Sequence, residues 1–509
     1  MSSSEPAGMT DEAVPWRRLD ARMLLVKPVT AGFRALPALI VPLIVGAQTG
    51  NPAWLLVAVV GLVYVATIDW LTTRYRVGPD HVQLKRGLLQ RNVLSVPRSR
   101  VRSVDTHATV LHRILGLTVL RIGTGTDDSG FELDAIPAEA VPELRAVLLV
   151  PSSPADSDDA EPGSHSDASG TVGDPGAELA DWQISWMRYA PLGYTGLVAI
   201  GAGMGLLFQS GSAIDRIADS GLAQDAASLV QQLGPLIAAA IAVLIVLVAA
   251  SAIAITRYVL SYSGFTLHDD GHVLRVEHGL LTTRESTLDR RRLRGVSIEE
   301  PVLLRLGGGA RARAIMTGIG ESSGTSALVL PDAPRQRAQQ VAAAVVGDPG
   351  VMHVALRGHG SAALRRRMFR ALAPPALLIA GLAVATLAGA PIPWWAWLAA
   401  GLLLAASVGL GIDRYRSLGH ATPTGWLVCQ SGSLLRSRDM VAAEGIVGWS
   451  VRQTYFQRRS GLATLTAATP AGADAYQVLD VPEPWAWDII AAVTPRMVQS
   501  LPRATAAAR

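Results

Sequence analysis

The side chains with the most chemical potential in this sequence are arginines gathered in two short runs. Arg98, Arg100 and Arg102 alternate, so on a strand they would project from one face, and Arg290, Arg291, Arg292 and Arg294 form a denser patch. Near the cytoplasmic leaflet of a membrane, such guanidinium groups could contact lipid phosphates or an acidic partner. The competing reading is a solvated strand edge guarded by charge.

Other chemistry is harder to assemble. His107 and His112 lie five residues apart and match no compact ligand motif, while His268 and His272 flank Asp269, Asp270 and Gly271, which read as a turn. The glycine-rich stretch from Gly318 to Gly324 lacks the Lys-Ser or Lys-Thr of a phosphate loop. Residues 123–130 read as a hairpin turn, and no Gly-x-Ser-x-Gly elbow is present. The single cysteine, Cys429, excludes an internal disulfide framework and a cysteine-based metal site. The sequence therefore predicts no catalytic residues, no metal site and no cofactor.

The elements around these residues belong to a membrane protein. Half of the 509 residues are hydrophobic and only 17% are charged, and the apolar residues cluster in runs long enough to span a bilayer. Six runs form three pairs: about 33–49 with 53–69, 189–208 with 234–255, and 371–390 with 394–412. Arginine and lysine flank the outer ends of each pair, as in Arg22, Lys27, Arg34, Arg74 and Arg76 around the first and Arg365, Arg366, Arg367, Arg370, Arg414 and Arg416 around the third. The inner loops are neutral or acidic. The positive-inside rule then places the termini and all large polar segments in the cytoplasm, in a multi-pass cell-membrane protein. The polar, acidic start of the chain predicts no cleaved signal peptide. The net charge of +4 gives no reason to expect nucleic acid as a partner.

A repeat follows each pair. An Arg-Tyr dipeptide (Arg74-Tyr75, Arg257-Tyr258, Arg414-Tyr415) precedes an alternating stretch, a turn at Gly87, Gly279 or Gly432, and a second alternating stretch. Alternation broken by glycine predicts short antiparallel strands. Residues 111–124, 303–318 and 455–469 each lead with apolar and basic residues and a glycine before another strand, and each repeat closes on a short helical pattern. The resulting order is a cytoplasmic segment at 1–32, a transmembrane hairpin at 33–70, a domain at 71–150, a disordered acidic linker at 151–182 and a second hairpin at 183–256. There follow a domain at 257–348, a basic connector at 349–370, a third hairpin at 371–412, a divergent third domain at 413–500 and a tail at 501–509. In the connector, Leu356, Leu364 and Met368 with Arg365 to Arg367 could form an interfacial amphipathic segment or a plain cytoplasmic flank.

This arrangement resembles the bacterial PH-like membrane proteins of the YdbT type. The resemblance rests on Thr73-Arg74-Tyr75 with Gly87-Leu88-Leu89, on Thr256-Arg257-Tyr258 with Gly279-Leu280-Leu281, and on Arg414-Tyr415 with Gly432-Ser433-Leu434. It implies an α+β protein in which each hairpin carries a cytoplasmic PH-like β-sandwich or barrel with a C-terminal helix, and no catalytic residues. The expected function is that of a non-enzymatic scaffold or binding protein, with membrane lipids and a membrane or cytoplasmic protein as partners and self-association open. Transport or lipid handling is the alternative, opposed by the near absence of ionisable residues within the spans.

Overall fold

The computed structural model describes residues 15–26, 67–68, 70–87, 92–98, 101, 103–123, 131–149, 177–193, 201, 234–317 and 327–500. Both spans of the first predicted hairpin, apart from a few residues at its end, and nearly all of the first span of the second lie outside these residues. Three helices among the described residues are long and apolar enough to cross a membrane: Val243–Tyr262 within the helix Pro235–Tyr262, then Gly360–Leu387 and Trp394–Arg416. The last two pack on each other where Gly411 lies against Met368 and Ala371.

Among the described residues, twenty strands carry the rest of the fold. The first repeat supplies β2 (Arg74–Val77), β3 (His81–Arg86) and β4 (Asn92–Pro97), then β5 (Ser103–Ala108), β6 (Leu117–Gly123) and β7 (Phe131–Pro137), with the short β1 (Arg17–Arg18) added beside β2. A short strand β8 (Ala177–Asp181) precedes the second repeat, which supplies β9 (Thr266–Asp269), β10 (Val273–His278), β11 (Thr283–Asp289), β12 (Leu293–Pro301), β13 (Gly309–Met316) and β14 (Leu328–Pro334). The third supplies β15 (Gly419–Ala421), β16 (Trp426–Ser431), β17 (Leu435–Ala442), β18 (Gly448–Arg452), β19 (Leu462–Ala468) and β20 (Ala475–Pro482). Strand β8 occupies the end of the stretch read as a linker, where Ala180 is fully buried and Leu179 offers its carbonyl to Arg337. An apolar anchor and a backbone partner order those residues.

Each repeat is thus a three-stranded N-terminal sheet followed by a three-stranded C-terminal sheet. In the first repeat, Tyr75, Val82, Leu84 and Val96 of one sheet meet Val104, Leu120, Ile122 and Leu133 of the other in one core. Val141, Leu144 and Leu148 of the helix Val141–Leu149 close it. The third repeat does the same with Leu427, Cys429 and Val441 against Leu465, Val478 and Val481, closed by Ile489, Ile490 and Val493 of the helix Glu483–Val493. The alternation of β3, with Val82 and Leu84 buried between half-exposed polar residues, is what places one face of the sheet in the core.

The chain divides into two compact units, and the division runs through the second repeat. In the first unit, β5 pairs with β11, so the C-terminal sheet of repeat one and the N-terminal sheet of repeat two are continuous in the order β7-β6-β5-β11-β10-β9. In the second unit, β12 pairs with β17 in the same way, giving β14-β13-β12-β17-β16-β15. Repeats are therefore joined edge to edge through their backbones. At the second joint, Gly295 (φ 154°) lets the strands close, because a Cβ there would stand 1.8 Å from the Met440 carbonyl oxygen. Gly295→Val is expected to force a backbone shift costing about 1–3 kcal/mol, read as a lower midpoint in thermal unfolding.

Candidate functional site

The end at which the chain enters each N-terminal sheet also carries the glycine turn. Thr266, the first residue of β9, lies opposite Glu277, so the turn at 279–282 is at the same end of that sheet as the incoming chain. In the third repeat the tie is direct: Ser417, just after the helix Trp394–Arg416, donates its hydroxyl to the carbonyl of Gly432. Gly432 is obligatory there, with φ 98° and a backbone carbonyl 1.8 Å from where a Cβ would sit. The leucines of these turns face out: Leu280 and Leu281 are 49% and 48% exposed, Leu434 and Leu435 59% and 50%.

Beside the turns at Gly279 and Gly432 stands a one-turn helix that follows the first strand of the preceding repeat's C-terminal sheet. Val110–Ile114 places Arg113 Nη1 3.1 Å from the Leu280 carbonyl, and Val302–Leu306 donates the Val302 amide to Leu434 at 2.7 Å. Their apolar side chains are also exposed, Ile114 at 74% and Leu306 at 78%, and the corresponding helix Tyr455–Arg459 exposes Tyr455, Phe456, Arg458 and Arg459. Exposed leucines and aromatics thus stand among arginines at these turns and short helices.

A second feature recurs at the far strand of each C-terminal sheet. A β-bulge falls in β7, β14 and β20, placing Ala135, Asp332 and Asp480 at matching positions just before Ile136-Pro137, Ala333-Pro334 and Val481-Pro482. Each bulge holds the segment that precedes its domain. The Asp20 amide donates to the Ala135 carbonyl, Tyr258 of the helix Pro235–Tyr262 donates its hydroxyl to the Asp332 carbonyl at 2.7 Å, and His359 bonds the Leu479 carbonyl at 2.8 Å. In the third repeat the lock is ionic. Arg366 and Arg367, in the first turns of the helix Gly360–Leu387, both reach the carboxylate of Asp480, which also accepts from Gln457 Nε2 at 3.0 Å.

Ion pairs bind the joints too. At the first, Arg145 of the closing helix pairs with Glu285 of β11, and Arg275 approaches the same carboxylate at 3.6 Å. Burial raises the pKa of Glu285, but Arg145 and Arg275 outweigh it and hold the group below the ordinary glutamate value. At the second, Asp413 of the helix Trp394–Arg416 takes Arg305 at 2.9 Å and Arg436 at 3.2 Å, while Glu300 takes Arg335 at 2.8 Å.

The residues expected to form a basic contact surface are placed otherwise. Arg98 is in the turn after β4, not on a strand, and its Nη1 donates to the Pro79 carbonyl at 2.7 Å; Arg100 and Arg102 lie outside the described residues. Arg290 to Arg292 form a single 3-10 turn. Arg290 is paired with Asp269, and the backbone of Arg292 accepts from Thr317. The Arg294 side chain packs across Gly445. Of this run, Arg291 is the residue with a largely exposed side chain, at 70%. Of the first run, Arg98 thus lies just past the end of β4, and of the second, Arg294 lies in β12. Arg365 to Arg367, read as a membrane flank, lie in the apolar helix Gly360–Leu387, and two of them are part-buried against Asp480. Nothing in the local sequence marks Asp480 as their partner, because the pair closes across 114 residues.

The decisive likeness is to a family of domains built on this repeat. The family model described as the bacterial PH domain matches three times, at residues 31–150, 225–346 and 375–491. The chain belongs to the bacterial PH domain family. Each match includes an apolar segment before a domain as well as its two sheets and its bulge; of the groups that hold the bulges, Tyr258 lies inside a match, whereas Asp20, His359, Arg366 and Arg367 precede theirs. No curated protein and no solved structure matches the chain.

Proposed function

We propose that this protein is a non-enzymatic, multi-pass membrane scaffold of the YdbT type, whose three hairpins hold bacterial PH domains at the cytoplasmic face. The domains bind the inner leaflet through their glycine-leucine turns and leave their outer surfaces to protein partners. The observation that carries this reading is the exposed leucine pair beside the chain's entry from a membrane helix, present in both the second and third repeats. Basic flanks on the outer ends of each apolar pair support the cytoplasmic orientation. The bulge anchors support it mechanically, since a domain tied to its own membrane helix keeps that end of its sheets toward the bilayer.

The test uses single fluorophores on the full chain in nanodiscs. A label at Leu434→Cys is expected to be quenched strongly by lipids carrying a quencher near the headgroup. A label at Thr424→Cys, in the turn at the opposite end of the same sheet, is expected to be quenched at least fivefold less. Equal quenching at both positions would overturn the lipid contact.

A further inference from the structure

The two joints obey one register. Counted from the turn glycines Gly87, Gly279 and Gly432, residues Val104, Val296 and Trp449 are equivalent, and so are Ser95, Thr287 and Met440. Val104 lies opposite Thr287 at the first joint, and Val296 lies opposite Met440 at the second. In each case the first strand of one repeat's C-terminal sheet pairs with the last strand of the next repeat's N-terminal sheet. The same rule leaves one strand of each kind unused. Among the described residues, β4 has no neighbour beyond β3, and β18 has none beyond β19.

We propose that β18 of one copy pairs antiparallel with β4 of a second copy in the register of the internal joints, with Trp449 opposite Ser95 and Val451 opposite Val93. The contact is head-to-tail, so it links copies into a ring or an open row within the membrane. It stands independently of the lipid contact proposed above.

Three observations besides the register favour a second copy as the occupant. First, both edges lack the usual guards. Exposed edge strands are generally protected by charge, proline or a bulge, but β4 carries no charged side chain and leaves Val93 and Leu94 53% and 42% exposed. The only charge in β18 is Arg452 at its end. Pro97 does not interrupt the pairing, because its equivalents Asp289 and Ala442 lie just outside the paired stretches of both joints. Second, Gly448 is equivalent to Gly295. At Gly295 a Cβ would collide with the strand across the joint, whereas at Gly448 it would meet nothing within 4 Å in the chain itself. The first joint has Ser103 at this position, so a joint does not demand glycine, but Gly448 leaves room for a strand as close as the one that crosses Gly295. Third, the one-turn helix beside each joint contacts the leucine turn of the following repeat, and its counterpart Tyr455–Arg459 leaves Tyr455 and Phe456 70% and 66% exposed. A second copy arriving at β18 would give this helix a neighbour, as the following repeat does for the other two.

The test is cysteine cross-linking between two differently tagged full-length chains expressed in one membrane. Native Cys429 is buried at 2% exposure and provides the background. Oxidation of a Val93→Cys chain with a Val451→Cys chain is expected to give a heterodimer. Pro97→Cys with Val451→Cys, displaced by four residues or about 13 Å along the strand, is expected to give at least tenfold less. In a second measurement, energy transfer between labelled copies in proteoliposomes is expected to fall by more than half on Val93→Lys, a change that an exposed edge accepts without unfolding. Equal cross-linking of the two pairs, a heterodimer absent from both, or a disulfide confined within a doubly substituted chain would each overturn the proposal, as would energy transfer insensitive to Val93→Lys.

Discussion

Asp480→Ala is expected to destabilise the third domain by about 3–5 kcal/mol, the range for removing one partner of a buried ion pair. The carboxylate is 1% exposed and faces Arg366 and Arg367, whose side chains are 15% and 13% exposed. Removing it leaves two guanidinium groups desolvated without a counter-charge, and frees the Gln457 amide that bonds the same carboxylate. Asp480 also holds φ 53°, a conformation that aspartate tolerates better than alanine. Asp480→Asn keeps that tolerance and one acceptor oxygen, so it should cost less than alanine. Replacing the whole cluster, with Arg366→Met, Arg367→Met and Asp480→Leu together, should recover much of the loss, because apolar groups of similar size carry no desolvation penalty. Denaturant midpoints of the four proteins, followed by tryptophan fluorescence, decide the matter. If the triple variant is no more stable than Asp480→Ala, the damage is to packing around the bulge and not to charge balance.

This cluster also marks where the sequence stops being readable. The strands were legible because their information is local: β10 alternates Leu274-Arg275-Val276-Glu277, and the turn before β11 needs Gly279 for its positive φ. The closing helices of the first and third repeats, Val141–Leu149 and Glu483–Val493, were legible for the same reason. What local pattern cannot carry is the choice of partner. A strand with the alternation of β11 pairs equally well on either edge, and only the fold shows that β5 of the preceding repeat takes its free side. Each arginine was likewise visible but its acid was not. Arg305 finds Asp413 across 108 residues and Arg145 finds Glu285 across 140. The short helices at 110–114, 302–306 and 455–459 were hidden in leads that read as approaches to a strand. The signal available was the repetition itself: a basic residue late in an apolar lead, recurring in every repeat at a joint, is more economically read as a contact than as three separate surfaces.

Acidification from pH 6.5 to pH 4 should weaken the same domain through a different pair. His359 and His420 are 1% and 4% exposed, with Nε2 of the first 2.9 Å from Nδ1 of the second. The Leu479 carbonyl can only accept, so Nδ1 of His359 is its donor and Nε2 must accept in turn from His420. A proton added to His359 would therefore set two N–H groups against each other. Burial pushes both histidines down from 6.5 to about 4, assisted at His359 by Arg367 and at His420 by His359 and Arg357. The unfolded chain binds protons that the folded chain refuses between those two values, so stability is complete above pH 6.5 and drains as the pH falls toward 4. A histidine held near 4 loses roughly 3 kcal/mol over that interval. Because the two titrate as a coupled pair, the loss belongs to both together. His420→Asn retains an N–H donor close to the position of Nδ1 and removes one titrating group. Its unfolding midpoint should fall less steeply with acid than that of the wild type, and Trp485, whose ring lies 6.3 Å from His420, reports the change locally. Parallel pH profiles for the two proteins would assign the acid sensitivity to other groups and leave the histidine pair as packing alone.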